Sequence, residues 1–399
     1  MKLALGDVKV IEYGDFISVP YCGKLLADLG AEVIKVEKPG EGDRSRKSGP
    51  FLDDTPGSDR GGLFLYLNSN KLGTTLNLES AVGRKIFKEL IKNADILLED
   101  GTPGKMSALG LGYEELSSVN AGLVMTSVTP FGQTGPYKNY KGSDLVGWHM
   151  GGIGYVTPRV AVTPGQEPMR VTHMADFIAG LSAAVATMSA LHAKRRTGLG
   201  QQVDLSQLET VVTAMGYLVM TWPYDHRSNT RDSSVTYAPQ HFVRCKDGWL
   251  LLFAIDERPW RRFIEMMGNP EWADVFADRN FRGENWESLR PLIEEWTMKH
   301  TKAELFQLAM TYEVPLGPAN SIAELLACAQ LKERDFFAKI DHPLVGRLTY
   351  PGAPYKLSET PWALRLPAPI LGQHNRYIYC GRLGYSGKEL RAMRAGGVI

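Results

Sequence analysis

"VKVIEYGDFISVPYCGKLLADLGAEVIKVEKPG", residues 8 to 40, decides the fold. It opens with a short buried strand in "VKVIEYG", continues as a helix ending at Gly30 in "VPYCGKLLADLG", and closes with a second strand in "AEVIKVEKPG", stopped by Pro39 and Gly40. That order is a βαβ unit, because parallel neighbours need a crossover between them. "GTTLNL", the helix "SAVGRKIFKELIKNA", "DILLED" and "GLVMTSVTPFG" repeat the alternation. The pattern predicts an α/β protein whose large domain holds a Rossmann-like parallel sheet. A nicotinamide-binding dehydrogenase starts the same way, but its glycines are missing. "VIEYG" runs into "DFISVPYCG", with no GxGxxG to bring a pyrophosphate onto a helix N-terminus.

Composition narrows the class. A chain of 399 residues with 44% hydrophobic content has length for two or three domains and a substantial core. Lys and Arg total 45 against 44 Asp and Glu, so the net charge of +1 argues against a nucleic-acid surface, and an anionic ligand must meet local cations. Cys22, Cys245, Cys328 and Cys380 are far apart, without the spacing of a zinc site or a disulfide framework; no metal and a reduced compartment are expected. "MKLALGDVKVIEYG" lacks the order of a secretory signal, and no stretch reaches about 18 uninterrupted apolar residues. The chain reads as cytoplasmic, with no membrane partner.

Organisation along the chain is uneven. Residues 1–220 read as the first part of the large domain and the polar stretch within 221–234 as a linker. Residues 235–320 read as a smaller α+β domain: "HFVRCKDGWLLLFA" is strand, turn and strand, and amphipathic helices surround "RPWRRFIEMMG", "SLRPLIEEWTMKH" and "KAELFQLAMTYE". Residues 321–399 read as a linker and a C-terminal return to the large domain, with a last short helix after Gly387.

Asp176 stands at the head of an apolar helix expected from about Ala175 to Arg196. Phe177, Leu181, Val185 and Met188 recur at helical spacing and are expected to face the core, with Asp176, Ala179, Gly180, Ala183 and Thr187 on another, small-residue face. Asp176 is then either a cap accepting backbone N–H bonds or a carboxylate kept ionised by the helix dipole and available as a nucleophile, and both roles are compatible.

"LLADLGAEVIKVEKPGEGD", "LNSNKLGTTLNL", "DILLEDGTPGKMSALGLGYEEL", "VTPFGQTGPYKNYKGSDL", "ADFIAGLSAAVATMSALHAKRRTGLGQQVDLS" and "APILGQHN" follow one another in order. Through them nearly the whole chain resembles the class III coenzyme A transferases, the family of formyl-CoA and carnitine CoA-transferases. The resemblance implies transfer of coenzyme A from an acyl-CoA donor to a carboxylic acid acceptor, with Asp176 as nucleophile, through an aspartyl mixed anhydride and an aspartyl–CoA thioester. It also implies a homodimer of two interlocked rings. Positions matching the family's CoA contacts are Ile17 and Ser18 in the first βα turn, Lys38, Asn70, Lys71 and Lys141. The family's "ENFxPG" is replaced by Glu99-Asp100-Gly101-Thr102-Pro103-Gly104, which puts Asp100 for the asparagine and Gly101 for the aromatic; a nearby arginine is Ala108, with Lys105 as a substitute cation.

Other readings share the resemblance. The glycine-rich loop of the formyl-CoA enzymes has no counterpart around "RCKDGWLLLFA", which weakens an oxalate or formate assignment. An α-methylacyl-CoA racemase needs a histidine before the aspartate of "KGSDL", and that position is Ser143; His149 and His173 read as packing or loop residues. A non-catalytic acyl-CoA-binding protein is the alternative of another class. Trp148, Met150, Met215, Met220, Trp222 and Tyr237 are candidates for an apolar acyl cavity, although such residues more often pack in cores.

Overall fold

The computed structural model describes residues 3–158, 167, 169–226 and 238–399. Contacts divide the chain into two compact units, Met1–Thr157 with Pro168–Asn229 and Asp335–Ile399, and Pro158–Glu167 with Thr230–Arg334. The expected linker and Tyr237 lie largely outside the described residues.

In the large unit, strands β1 (Lys9–Tyr13), β2 (Glu32–Glu37), β3 (Lys71–Thr75), β4 (Ile96–Glu99), β5 (Val124–Thr129) and β6 (Gln202–Ser206) form one sheet in the order β3-β2-β1-β4-β5-β6. Every neighbouring pair is parallel, with Val10 opposite both Val33 and Ile96. The helices that matter below are α1 (Ser18–Asp28), α2 (Gly62–Leu67), α3 (Ala81–Ile91), α4 (Lys105–Ala108), α5 (Tyr113–Val119), α6 (Asp144–Met150), α7 (Met174–Thr197) and α8 (Gln207–Ala214). The near-continuous apolar strands are explained by burial on both faces. Val10, Val33, Ile96, Leu98 and Val124 pack with α1 and α7, while their neighbours Ile11, Ile34, Leu97 and Met125 point the other way, toward α3, α5 and the C-terminal residues.

The C-terminal return is tied to β3 by side chains. Asn375 Oδ1 accepts from Thr74 Oγ1 and the Thr75 amide at 2.8 and 2.9 Å, and Tyr379 Oη donates to the Thr75 carbonyl at 2.6 Å.

The faces of α7 depart from the sequence expectation at Leu181 and Val185, while Met188 packs against the core and Phe177 against Tyr21. Ala179, Gly180, Ala183 and Thr187 are buried, whereas Leu181 and Val185 are 53% and 63% exposed. Close packing decides this: a Cβ on Gly180 would lie 2.6 Å from the Ser18 carbonyl oxygen of α1, so only small residues fit where the helices cross. By length and composition α7 could cross a bilayer, but half of its most apolar stretch is buried in the protein.

In the small unit, β7 (Gln240–Cys245), β8 (Gly248–Phe253) and β9 (Leu316–Pro318) form an antiparallel sheet. Val243, Cys245, Leu250 and Leu252 point into a core completed by Trp260, Phe263, Leu289 and Leu305. The unit continues past residue 320 to Arg334, because Ser321 and Glu324 form a capping box that starts the helix Ile322–Ala327 and Glu324 pairs with Lys302.

Candidate active site

Strand order reverses between β1 and β4, and in open parallel sheets the crevice beyond the carboxyl ends at that point is where ligands bind. Two loops meet there. The amide of Asp15, after β1, donates to Asp100 Oδ2, after β4, at 2.7 Å. Phe16, next in the chain, has φ of 69°, and its amide donates to Asp43 Oδ1 at 3.1 Å.

Asp43 belongs to a buried ionic network under these loops. Lys35 Nζ lies 2.9 Å from Glu12 Oε1 and 2.7 Å from Asp43 Oδ2; Glu12 Oε2 takes Lys71 Nζ at 2.7 Å; Arg46 forks onto Glu37 and also pairs with Asp59. Burial opposes the Lys35 charge, but Asp43, Glu12 and Glu37 hold its ammonium well above the ordinary lysine range. For Lys71 burial prevails and lowers it to about 8 despite Glu12. Gly23 makes the network possible, since a Cβ there would sit 1.8 Å from Glu12 Oε2.

Asp176 is the third residue of α7 and 8% exposed. Its Oδ1 accepts from Gln207 Nε2 at 2.6 Å and its Oδ2 lies 3.4 Å from His173 Nδ1. It is not the cap of its helix. Asp144 of α6 caps it instead, accepting the His173 amide at 3.0 Å and the Ala175 amide at 2.9 Å. Burial and the Asp144 charge push the Asp176 carboxyl above the ordinary aspartate range, against the lowering bonds from His173 and Gln207. A carboxylate raised in this way is a stronger base and nucleophile than a free one.

The residues matched to coenzyme A contacts are not all brought together. Ile17 and Ser18 follow β1 at the start of α1, Lys38 follows β2, and Asp100, Gly101 and Lys105 follow β4, all at the carboxyl edge of the sheet. Lys38 is exposed and paired with Glu41 at 2.6 Å; Lys105 and Lys141 are exposed. Asn70 and Lys71 sit at the opposite edge, where β3 begins. Lys71 is wholly buried and spends its ammonium on Glu12, the Pro20 carbonyl and Asn68. Asn70 links Asp28 and the Ala363 carbonyl to the amides of Arg365 and Leu366, which staples the C-terminal return to the sheet. Burial, with the Asp15 and Glu99 charges, pushes Asp100 up to about 8, so near pH 7 it is mostly protonated and neutral like an asparagine. The Gly101 amide donates to Glu99 Oε2 at 2.7 Å.

Sequence reasoning missed Gln207 and Asp144 and read His173 as a loop histidine. His173 carried one signal, its place three residues before Asp176, and Asp144 another, its place in the family segment "KGSDL"; Gln207 gave none, because it reaches the site from a separate helix. Of the acyl-cavity candidates, Trp148 is buried with its indole N–H on the Met169 carbonyl at 3.0 Å, while Met150, Met220 and Trp222 are exposed.

Residues 5–375 match CoA-transferase family III. The chain belongs to that family. This CoA-transferase is 34% identical, over 99% of its length and 98% of the relative's, to the succinyl-CoA–D-citramalate CoA-transferase of Chloroflexus aurantiacus. It is 36% identical, over 94% of each chain, to the BbsE subunit of the succinyl-CoA:(R)-benzylsuccinate CoA-transferase of Thauera aromatica. Among solved structures, a CAIB/BAIF family protein from Brucella suis superposes with a TM-score of 0.85 at 29% identity, over 96% of this chain and all of that one. The CoA-transferase therefore moves coenzyme A between an acyl-CoA and an acid.

Proposed function

We propose that this CoA-transferase uses Asp176 as a covalent nucleophile and succinyl-CoA, or a similar short dicarboxylic thioester, as donor. The single observation that carries the nucleophile is the Asp176 carboxylate, raised above its ordinary basicity and held by the neutral amide of Gln207 rather than tied up by a lysine or arginine among the described residues. The donor class rests on the relatives, which include the succinyl-CoA:glutarate CoA-transferases of mouse and human, 29% and 28% identical over 99% of this chain.

Asp176 attacks the thioester carbonyl, the C–S bond breaks, and the thiolate leaves an acyl–aspartyl anhydride. The thiolate then attacks the aspartyl carbonyl, releasing the donor acid and leaving an aspartyl–CoA thioester. The acceptor carboxylate displaces the thiolate to form a new anhydride with Asp176. Attack of the thiolate on the acceptor carbonyl yields the product thioester and restores Asp176. Each step exchanges one acyl–heteroatom bond for another, so no oxidant, metal or water is consumed. Coenzyme A enters as substrate along the carboxyl edge, with Lys38, Lys105 and Lys141 as cations for its phosphates and the backbone of Ile17 and Ser18 beside it.

A homodimer accompanies this reading. Leu181 and Val185, with Tyr217, Trp222 and Tyr224, leave apolar surface on the large unit that a second copy of the chain would cover. Four free cysteines fit a reduced, cytoplasmic setting.

The test is a panel of acyl-CoA donors against di- and hydroxy-dicarboxylic acids, with CoA products read by mass spectrometry. Transfer from succinyl-CoA, a hydroxylamine-sensitive adduct on Asp176, and loss of both in Asp176→Ala and Asp176→Asn are expected. Full exchange by either variant would remove Asp176 from the mechanism.

A further inference from the structure

Helix α7 lacks a cap of its own. Its N-cap residue is His173, which makes no capping bond with its side chain and has φ of 65°, a left-handed backbone uncommon outside glycine. Two of the first amides are instead satisfied from α6, where the buried Asp144 takes His173 N–H on Oδ2 and Ala175 N–H on Oδ1. The carboxylate thus spans the N-cap and second positions of the helix whose third residue is Asp176. It also holds the His173 backbone in the conformation that accompanies the 3.4 Å contact to Asp176 and the edge contact of the His173 ring with Phe16, centroids 5.2 Å apart.

We propose that Asp144 is a positioning residue for the transfer reaction, setting the place of both Asp176 and His173 from a neighbouring helix. The inference rests on Asp176 being the nucleophile. Both oxygens of Asp144 are spent on the helix start, and beyond the two amides it also faces Arg170 Nη1 at 3.4 Å. Its second effect is electrostatic. The charged groups facing Asp176 are Asp144 on α6 and His173 ahead of α7, with Arg170 reaching Asp144; α8 presents the neutral Gln207. The Asp144 charge works against ionisation of Asp176 and so raises the basicity of the attacking oxygen.

Asp144→Ala removes cap and charge together, whereas Asp144→Asn keeps an accepting oxygen and removes the charge. For Asp144→Ala a fall in kcat of about 100-fold is expected, with KM for the donor within threefold, because a displaced nucleophile weakens attack more than binding. Asp144→Asn should recover part of kcat, and the acid limb of its pH–rate profile should move to lower pH. A substrate-free readout accompanies these: the pH dependence of Asp176 labelling by a water-soluble carbodiimide and glycine ethyl ester, read by peptide mass spectrometry. The labelling midpoint should fall in Asp144→Asn. Unchanged kcat in folded Asp144→Ala, or an unchanged labelling midpoint in Asp144→Asn, would overturn the proposal. Should the wild-type chain transfer nothing from any donor, the functional reading fails, and the labelling midpoint still decides the role of Asp144.

Discussion

Gln207 Nε2 lies 2.6 Å from Asp176 Oδ1, although the two residues are 31 apart in the chain and on different helices. Strand β6 ends at Ser206, whose hydroxyl caps α8, so Gln207 is delivered to the site as the first residue of a helix starting at the carboxyl edge of the sheet. A hydrogen bond to the ionised form lowers a carboxyl's pKa, so Gln207→Leu should raise that of Asp176 further. The acid limb of kcat against pH should move upward, and kcat near pH 7 should fall about 10- to 100-fold. An unshifted limb would show that the amide does not stabilise the reacting carboxylate.

Lys71 and Lys141 should separate stability from binding. Lys71→Met leaves one oxygen of the buried Glu12 without its cation and should cost about 3–5 kcal/mol in urea unfolding. Lys141→Ala, on an exposed residue, should leave unfolding unchanged while raising donor KM a few-fold and weakening its dependence on salt. A Lys71→Met protein of normal stability with a raised KM would show that this lysine serves the ligand.

Asp100 gives a pH dependence with a defined sign. Burial pushes its carboxyl up to about 8 in the folded chain, against the ordinary aspartate value of 3.8, so between these values the folded state holds a proton that the unfolded state has lost. Stability therefore falls as pH rises through that window. Asp100→Asn removes the liability and should be the more stable protein, with a gap that widens from pH 4 to 8. Urea midpoints at pH 5 and pH 8 measure it; parallel curves for the two proteins would contradict the assignment.

Gly180→Val should separate α7 from α1, because its first side-chain carbon would meet the Ser18 carbonyl at 2.6 Å. A loss of about 1–3 kcal/mol is expected from overpacking alone. Since Ser18 is the first residue of α1, directly after the turn that follows β1, donor KM should rise as well. Normal stability and KM would mean that the crossing is looser than the geometry states.

Periodicity and punctuation made the parallel sheet legible: alternating strands and helices from residue 8 onward, Gly30 and Pro39 are local signals, and each sits where it is expected. The position of Asp176 in the first turn of a helix was legible through the apolar run that follows it. The face of α7 was not. A rule that buries large apolar residues assigns Leu181 and Val185 to the core, but the approach of α1 admits only small groups, and that approach belongs to no single segment.

The same division holds around Asp176. The chain by itself determined the βαβ alternation and the presence of one acid at the head of an apolar helix, because these follow from steric and hydrophobic preferences acting over a few residues. Only the tertiary structure decided that Asp144 caps that helix, that Gln207 and His173 hold Asp176, and that Lys71 is a buried partner of Glu12. Ion pairs and caps of this kind depend on through-space distance and on exclusion of water, and both arise only when distant segments pack together.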